Sequence, residues 1–226
     1  MSGFFVTGIG TDIGKTVVSA VLVESLKAHY WKPVQSGGLD FSDSDFIKEY
    51  TNQGLNVHHE AYVLQQPMAP FFAANLEYKK IEIQHIKLPK YNNTIIVEGA
   101  GGLMVPLTDH LLVSDLIKHL NLPVILVSKN YLGSINHALL SVEYLKQKNI
   151  PIVGIIFNGD ANPDSEVFIL KYTGLKLLGR IPKADIISKG FIIKQAEEIR
   201  KNILPLLSSD SDLNSSTDLP IDYESF

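Results

Sequence analysis

The chain has no cysteine anywhere in its 226 residues. That removes disulfides, thiolate metal sites and a cysteine nucleophile from consideration, and it fits a reducing cytosol. No run of Lys and Arg breaks the even charge distribution and the net charge is −4, so nucleic acid is not an expected partner. No apolar stretch approaches the roughly 20 residues that a membrane helix needs, and no membrane partner is expected. The opening residues Met1 to Val6 lack a basic segment ahead of their apolar ones, so they read as a strand rather than a signal peptide. A Gly-x-Ser-x-Gly elbow is also missing, which leaves a serine hydrolase unsupported. What is present is a hydrophobic fraction of 45%, ample for a buried sheet in a chain of single-domain length. These features together predict a soluble cytoplasmic enzyme.

Short, wholly apolar runs alternate with helical patterns, the signature of a parallel sheet covered on both faces. The pattern predicts strands at residues 4–7, 30–33, 94–98, 123–128 and 152–158, with a weaker one at 176–180. It predicts helices at 15–29, 44–50, 113–120, 135–148, 165–172 and 190–204. Residues 51–92 contain Pro67, Pro70 and Pro89 and read as loops and short helices. The domain is expected to span 1–207, followed by a Ser/Asp-rich polar tail at 208–226 in which Leu219, Ile221, Tyr223 and Phe226 are candidates to dock on the body.

The most informative stretch runs from Gly3 to Thr16. A short apolar strand enters a glycine-rich loop, Gly14-Lys15-Thr16 follows, and a helical pattern begins, which is the layout of a phosphate-binding P-loop. Small residues let backbone N–H groups turn inward on phosphate oxygens, with the helix N-terminus aimed at them. Lys15 supplies a mobile positive charge to the β- and γ-phosphates and the Thr16 hydroxyl holds Mg²⁺. Five residues rather than four separate Gly8 from Gly14. Polar residues also gather at the ends of the other expected strands, where open α/β sheets bind ligands. Lys32 leads into Pro33-Val34-Gln35-Ser36, Glu98 into Gly99-Ala100-Gly101-Gly102, and Asn158 into Gly159-Asp160. Glu98 after an apolar run resembles a Walker B carboxylate near Mg²⁺. Asp45 is either a second carboxylate for that metal or part of a helix start, with the cap itself better assigned to Asp43 or Ser44. Adjacent His58 and His59 point apart and have no third ligand at suitable spacing. His137 stays unassigned.

Taken in order, these segments resemble the dethiobiotin synthetase family over nearly the whole chain up to about residue 205. The motifs are Val6 to Thr16, Lys32 to Gly37, Ser44-Asp45, Pro67 to Pro70, Val97 to Leu103, Pro123 to Val127, Leu132 to Ala138, and Asn158. The five-residue loop spacing is that family's own. The resemblance implies a P-loop NTPase-like three-layer α/β/α fold, a homodimer, and a reaction of 7,8-diaminononanoate, CO₂ and ATP with Mg²⁺ as cofactor. It assigns catalysis to Lys32, Lys15 and Thr11, and Mg²⁺ to Thr16, Asp45 and Glu98. Nucleotide contacts fall to Asp12, Ile13, Gly14, Lys15, Thr16, Val17, Asp45, Glu98, Gly99, Ala100 and Gly101, with Asn158, Gly159, Ile181, Pro182 and Lys183 bordering the base. Substrate contacts fall to Lys32 and Ser36, and to Gly133 and Asn136 from a second subunit. The chain departs from the family at Ile9 (often Thr), at Asp12 (often Glu) and at Phe71 (often His), where no chemical role is assigned. Two rivals share the P-loop layout. Cobyrinate amidases need a glutaminase domain with a cysteine. Nucleotide switches of the partitioning class carry an extra lysine early in the loop, and residues 8–14 contain none.

Overall fold

In the computed structural model, residues 2–207 are described, and the polar tail at 208–226 lies outside them. The apolar strands assemble as expected into one parallel sheet. Its members are β1 (Ser2–Gly8), β2 (His29–Trp31), β4 (Val57–His58), β6 (Thr94–Gly102), β7 (Val124–Lys129), β8 (Ile152–Asn158) and β9 (Leu177–Ile181). The order across the sheet is β4-β2-β6-β1-β7-β8-β9. The chain therefore runs outward from β1 on one side, returns through β6, and continues from β7 on the other side. The reversal lies at the carboxyl end of β1, which is where such sheets open a crevice. A separate parallel pair joins β3 (Val34–Ser36) to β5 (Tyr62–Leu64).

The helices α1 (Lys15–Leu26), α2 (Asp43–Tyr50), α3 (Pro70–Leu76), α4 (Val113–Leu120), α5 (Ser134–Gln147), α6 (Pro163–Thr173) and α7 (Lys189–Ile203) supply the crossovers. α1 packs against α7, α2 and the sheet at once, so Val18, Val21, Leu22 and Val23 are all fully buried although they circle the helix. A helix expected to run to residue 29 stops at Leu26, because Lys27 takes a left-handed φ of 52°. The residues after it are drawn into β2 against β6.

Two irregularities shape the site. The strand expected at 30–33 is split, since Pro33 offers no N–H to a ladder. Lys32 therefore lies in the gap between β2 and β3. In β6 the register moves from Val6↔Glu98 to Gly8↔Gly102, so four residues advance where β1 uses two. Residues 99–101 bulge out toward the loop after β1 as a result. The short strands β4 and β5 fall in the region read from sequence as loops and short helices, of which α3 is one, whereas β3 follows the strand expected at 30–33.

Candidate active site

The loop after β1 enters α1 through Gly14, which has φ 83° and gives α1 no side-chain cap. The first N–H groups of α1 are thus left for a ligand. A Cβ at Gly14 would lie 2.1 Å from the Asn158 side-chain nitrogen. That nitrogen donates to the Ile13 carbonyl at 2.8 Å, tying the end of β8 to the loop. Across the loop, Gly101 has φ 66° and a Cβ there would lie 2.7 Å from Val105, so the bulge of β6 needs glycine to approach.

Around the loop, charged groups are taken out of water. Lys32 Nζ lies 2.7 Å from Asp43 Oδ2 and 2.9 Å from Glu98 Oε1, and donates to the Gly99 carbonyl at 3.2 Å. The Thr16 hydroxyl lies 2.6 Å from Asp43 Oδ1 and 3.0 Å from Glu98 Oε1. Glu98, only 1% exposed, accepts a third bond on Oε2 from the Tyr30 hydroxyl at 2.9 Å. Lys15 folds back so that Nζ donates to the Gly10 carbonyl at 3.2 Å. Two lysines and two carboxylates therefore share one buried cluster with no net charge.

The cluster sets its own protonation. Burial depresses the Lys15 pKa, and the charge of Lys32 adds to this against Glu98 and Asp43. Burial also opposes the Lys32 ammonium, but Glu98 and Asp43 outweigh it and hold Lys32 above its ordinary value. Burial works against the Asp43 carboxylate too, yet Lys32 and Thr16 keep its pKa below the usual range. Tyr30 is held far above its ordinary value by burial and by the neighbouring carboxylates, so it stays a donor.

Lys15, Thr16, Lys32, Asp43 and Glu98 line a cavity of about 750 Å³ that also takes in Thr11, Ser36 and the 67–70 segment. The Ser36 hydroxyl, like those of Thr7, Ser19, Ser25 and Ser128, has no hydrogen-bond partner among the described residues, and of these residues Ser36 lines this cavity. A second cavity of about 310 Å³ shares Thr11 and Val105 and reaches His137 and Tyr144 on α5. Thr16, Asp43 and Glu98 present only oxygen, which suits a hard cation that completes its shell with water and phosphate oxygens. No cluster of three or more His, Cys, Asp or Glu suited to a metal occurs among the described residues; this set offers two carboxylates and a hydroxyl.

With this geometry in view, comparison with known proteins decides the lineage. A chain called ATP-dependent dethiobiotin synthetase BioD from Christiangramia forsetii is 46% identical over 201 residues, covering 88% of this chain and 97% of that one. This chain belongs to the dethiobiotin synthetase family. A BioD from Cytophaga hutchinsonii is likewise 46% identical, over 89% of this chain and 98% of its own. A family profile described as an AAA domain matches residues 2–189. Among solved structures, a ParA family ATPase from Chlorobium tepidum matches with a TM-score of 0.53 at 18% identity, over 92% of this chain and 98% of that one. A putative plasmid partition protein from Borrelia burgdorferi, solved with AMPPNP, gives 0.57 at 12%, over 91% and 98%. Those two show the fold alone, a P-loop three-layer α/β/α sheet.

Of the residues that the likeness to dethiobiotin synthetases singles out, Thr11, Asp12, Gly14, Lys15, Thr16, Val17, Lys32, Ser36, Glu98, Ala100 and Gly101 all line the larger cavity. Ile13 is buried beneath the loop, as is Ile9, so both lend only backbone there. Gly99 offers its carbonyl to Lys32. Asp45 is the correction. As the third residue of α2, it accepts from the Ser42 N–H and hydroxyl and from Lys48, closing a capping box. Asp43, two residues earlier, takes the position by Thr16 and Lys32. The pattern Ser42-x-x-Asp45 was the available signal. Asn158, Gly159, Ile181, Pro182 and Lys183 gather at the ends of β8 and β9, with the Gly159 N–H donating to the Ile181 carbonyl at 2.9 Å. The Ile181 side chain is fully buried, and Lys183 is exposed near Asp160. Gly133 and Asn136 start α5 and line neither cavity. Phe71 lines a third groove, away from the P-loop. Tyr30, which the sequence marks only as a strand residue, also reaches Glu98.

Proposed function

We propose that the chain joins 7,8-diaminononanoate and CO₂, with ATP and Mg²⁺, to give dethiobiotin, ADP and phosphate. The observation that carries this reading is the pairing of Lys15 and Lys32 in one cavity beside an oxygen-only set. Two anions, a carbamate and a triphosphate, must meet there, and positioning with charge neutralisation does most of such work. One substrate amine adds to CO₂ and loses a proton to become the carbamate. A carbamate oxygen then attacks the γ-phosphorus, and the bond to ADP breaks. The second amine attacks the carbamoyl carbon, the carbon–oxygen bond to phosphate breaks, and the amine gives up a proton to solvent as the ring closes.

The α1 N-terminus and Lys15 bind the triphosphate, and the desolvated Lys15 gains a strong interaction with the transferring group. Lys32, held charged by Glu98 and Asp43, faces the carbamate, and Ser36 offers its free hydroxyl to the substrate. Thr16, Asp43 and Glu98 are the groups that would hold Mg²⁺, which when bound neutralises phosphate charge. Asn158 and the 181–183 segment border the base. We assign this chemistry to residues 1–207 of a cytoplasmic protein.

The test is production of dethiobiotin by the purified protein from diaminononanoate, bicarbonate and Mg-ATP, followed by mass spectrometry alongside ADP release. ATP hydrolysis indifferent to diaminononanoate would instead mark a nucleotide switch of the same fold. The homodimer belongs to the same reading. Leu132 and Leu140 are exposed around Gly133 and Asn136, an apolar surface that suits a second copy. If Asn136 completes the partner's site, mixing inactive Lys32→Ala and Asn136→Ala proteins should restore roughly a quarter of wild-type activity, because half the dimers are mixed and each holds one intact site. No recovery despite confirmed exchange would rule out the shared site.

A further inference from the structure

Glu98 needs more than burial to serve a metal. Its terminal torsion is broad and roughly two-fold, so an unrestrained carboxylate spreads its oxygens over many directions. Here the two oxygens are divided. Oε1 faces Thr16 and Lys32, while Oε2 receives the Tyr30 hydroxyl at 2.9 Å in a buried contact. The strand register explains the reach. Tyr30 on β2 pairs with Ile96 on β6, and Glu98, two residues on, shares the face of Ile96. The tyrosine ring spans that step along the sheet. Lys32 follows Tyr30 by the same interval and meets the other oxygen. Tyr30 is fully buried and lines neither cavity near the P-loop, so it touches no ligand itself.

We infer that Tyr30 is a positioning residue that pins Glu98 Oε2 and so aims Oε1 at the Thr16 side of the cavity, where Mg²⁺ would be held. The inference rests on the proposed function. Partners behind a metal ligand commonly contribute 10–100-fold to metal affinity, and Tyr30→Phe deletes this one while keeping the ring.

The experiment is calorimetric binding of AMPPNP to the full chain, in EDTA and across a Mg²⁺ series, with thermal unfolding alongside. Tyr30→Phe is expected to leave the affinity in EDTA unchanged and to raise the half-saturating Mg²⁺ about tenfold. On a Glu98→Gln background the same change should shift it less than about twofold, because no anionic carboxylate remains to aim. A folded Tyr30→Phe with wild-type Mg²⁺ dependence overturns the inference. So does an equal loss of affinity in EDTA, which would mean general damage to the fold, or a full effect on the Glu98→Gln background. A wild-type protein that binds AMPPNP without regard to Mg²⁺ overturns both this inference and the metal part of the proposed function. Wild-type Mg²⁺ dependence with no response to Tyr30→Phe overturns this inference alone.

Discussion

Replacing Lys32 by Met separates the structural role of the buried cluster from its chemistry. The Lys32 side chain is 6% exposed and that of Glu98 1%, so water does little to screen their pairing. Without Lys32, Glu98 keeps hydrogen bonds only from the neutral donors Thr16 and Tyr30, with the Lys15 charge nearby but not in contact. Breaking one partner out of a buried ion pair costs about 3–5 kcal/mol, because the other charge is left uncompensated. The second carboxylate, Asp43, is 26% exposed and partly screened, which favours the lower end, about 3 kcal/mol. In a domain of this size each kcal/mol moves Tm by roughly 2–4 °C, so Lys32→Met should melt about 6–12 °C below wild type in EDTA. Adding Glu98→Gln removes the stranded charge and should recover most of that loss. Activity should not follow. Loss of a preorganised donor to developing charge costs about 10²–10³ in kcat, and the double variant should remain at least as impaired. The assays are thermal unfolding and ADP release with diaminononanoate present. The reasoning fails if Lys32→Met melts within about 2 °C of wild type. It fails differently if the double variant regains both stability and turnover, since Lys32 would then be only a counter-ion.

Asp43→Asn should raise the half-saturating Mg²⁺ for turnover by about tenfold or more, whereas Asp45→Asn should cost only the weakened cap, about 0.5–1 kcal/mol in unfolding, with kcat unchanged. Equal kinetic effects would return Asp45 to the site. Gly14→Ala forces a left-handed φ on a residue with a Cβ, at about 1–2 kcal/mol, and pushes on Asn158; titration should show nucleotide Kd raised about tenfold. Lys15 has a folded pKa below its ordinary 10.5, so the unfolded chain holds more protons between those values and stability of the free protein rises with pH there. Triphosphate reverses the burial penalty and raises that pKa, so AMPPNP binding at alkaline pH below 10.5 should take up protons, read by calorimetry in two buffers, and Lys15→Ala should abolish the uptake.

How much of this was readable in advance depends on whether a residue's role is local or set by register. The P-loop is local: Gly14, Lys15 and Thr16 follow one another from strand to helix, and the sequence order already places them together at one helix start. Lys32 and Glu98 were legible as polar ends of apolar strands. The choice between Asp43 and Asp45 was not settled by composition, because both lie in the first turn of α2. Two residues along a helix turn the side chain by about 200°, so one carboxylate faces the cavity and the other must face away. The Ser42 cap decides which, since a Ser with Asp three residues later commits that Asp to the helix start. The strands of two or three residues at 34–36, 57–58 and 62–64 are too short to show any period. Tyr30 was the hardest, because an aromatic residue in a strand reads as core by every sequence criterion. Only the pairing of Tyr30 with Ile96 puts its hydroxyl one step along the face, beneath Glu98. Long-range register thus gives an ordinary core tyrosine a polar task, and it does so through β2, a strand cut to three residues by the proline that also frees Lys32.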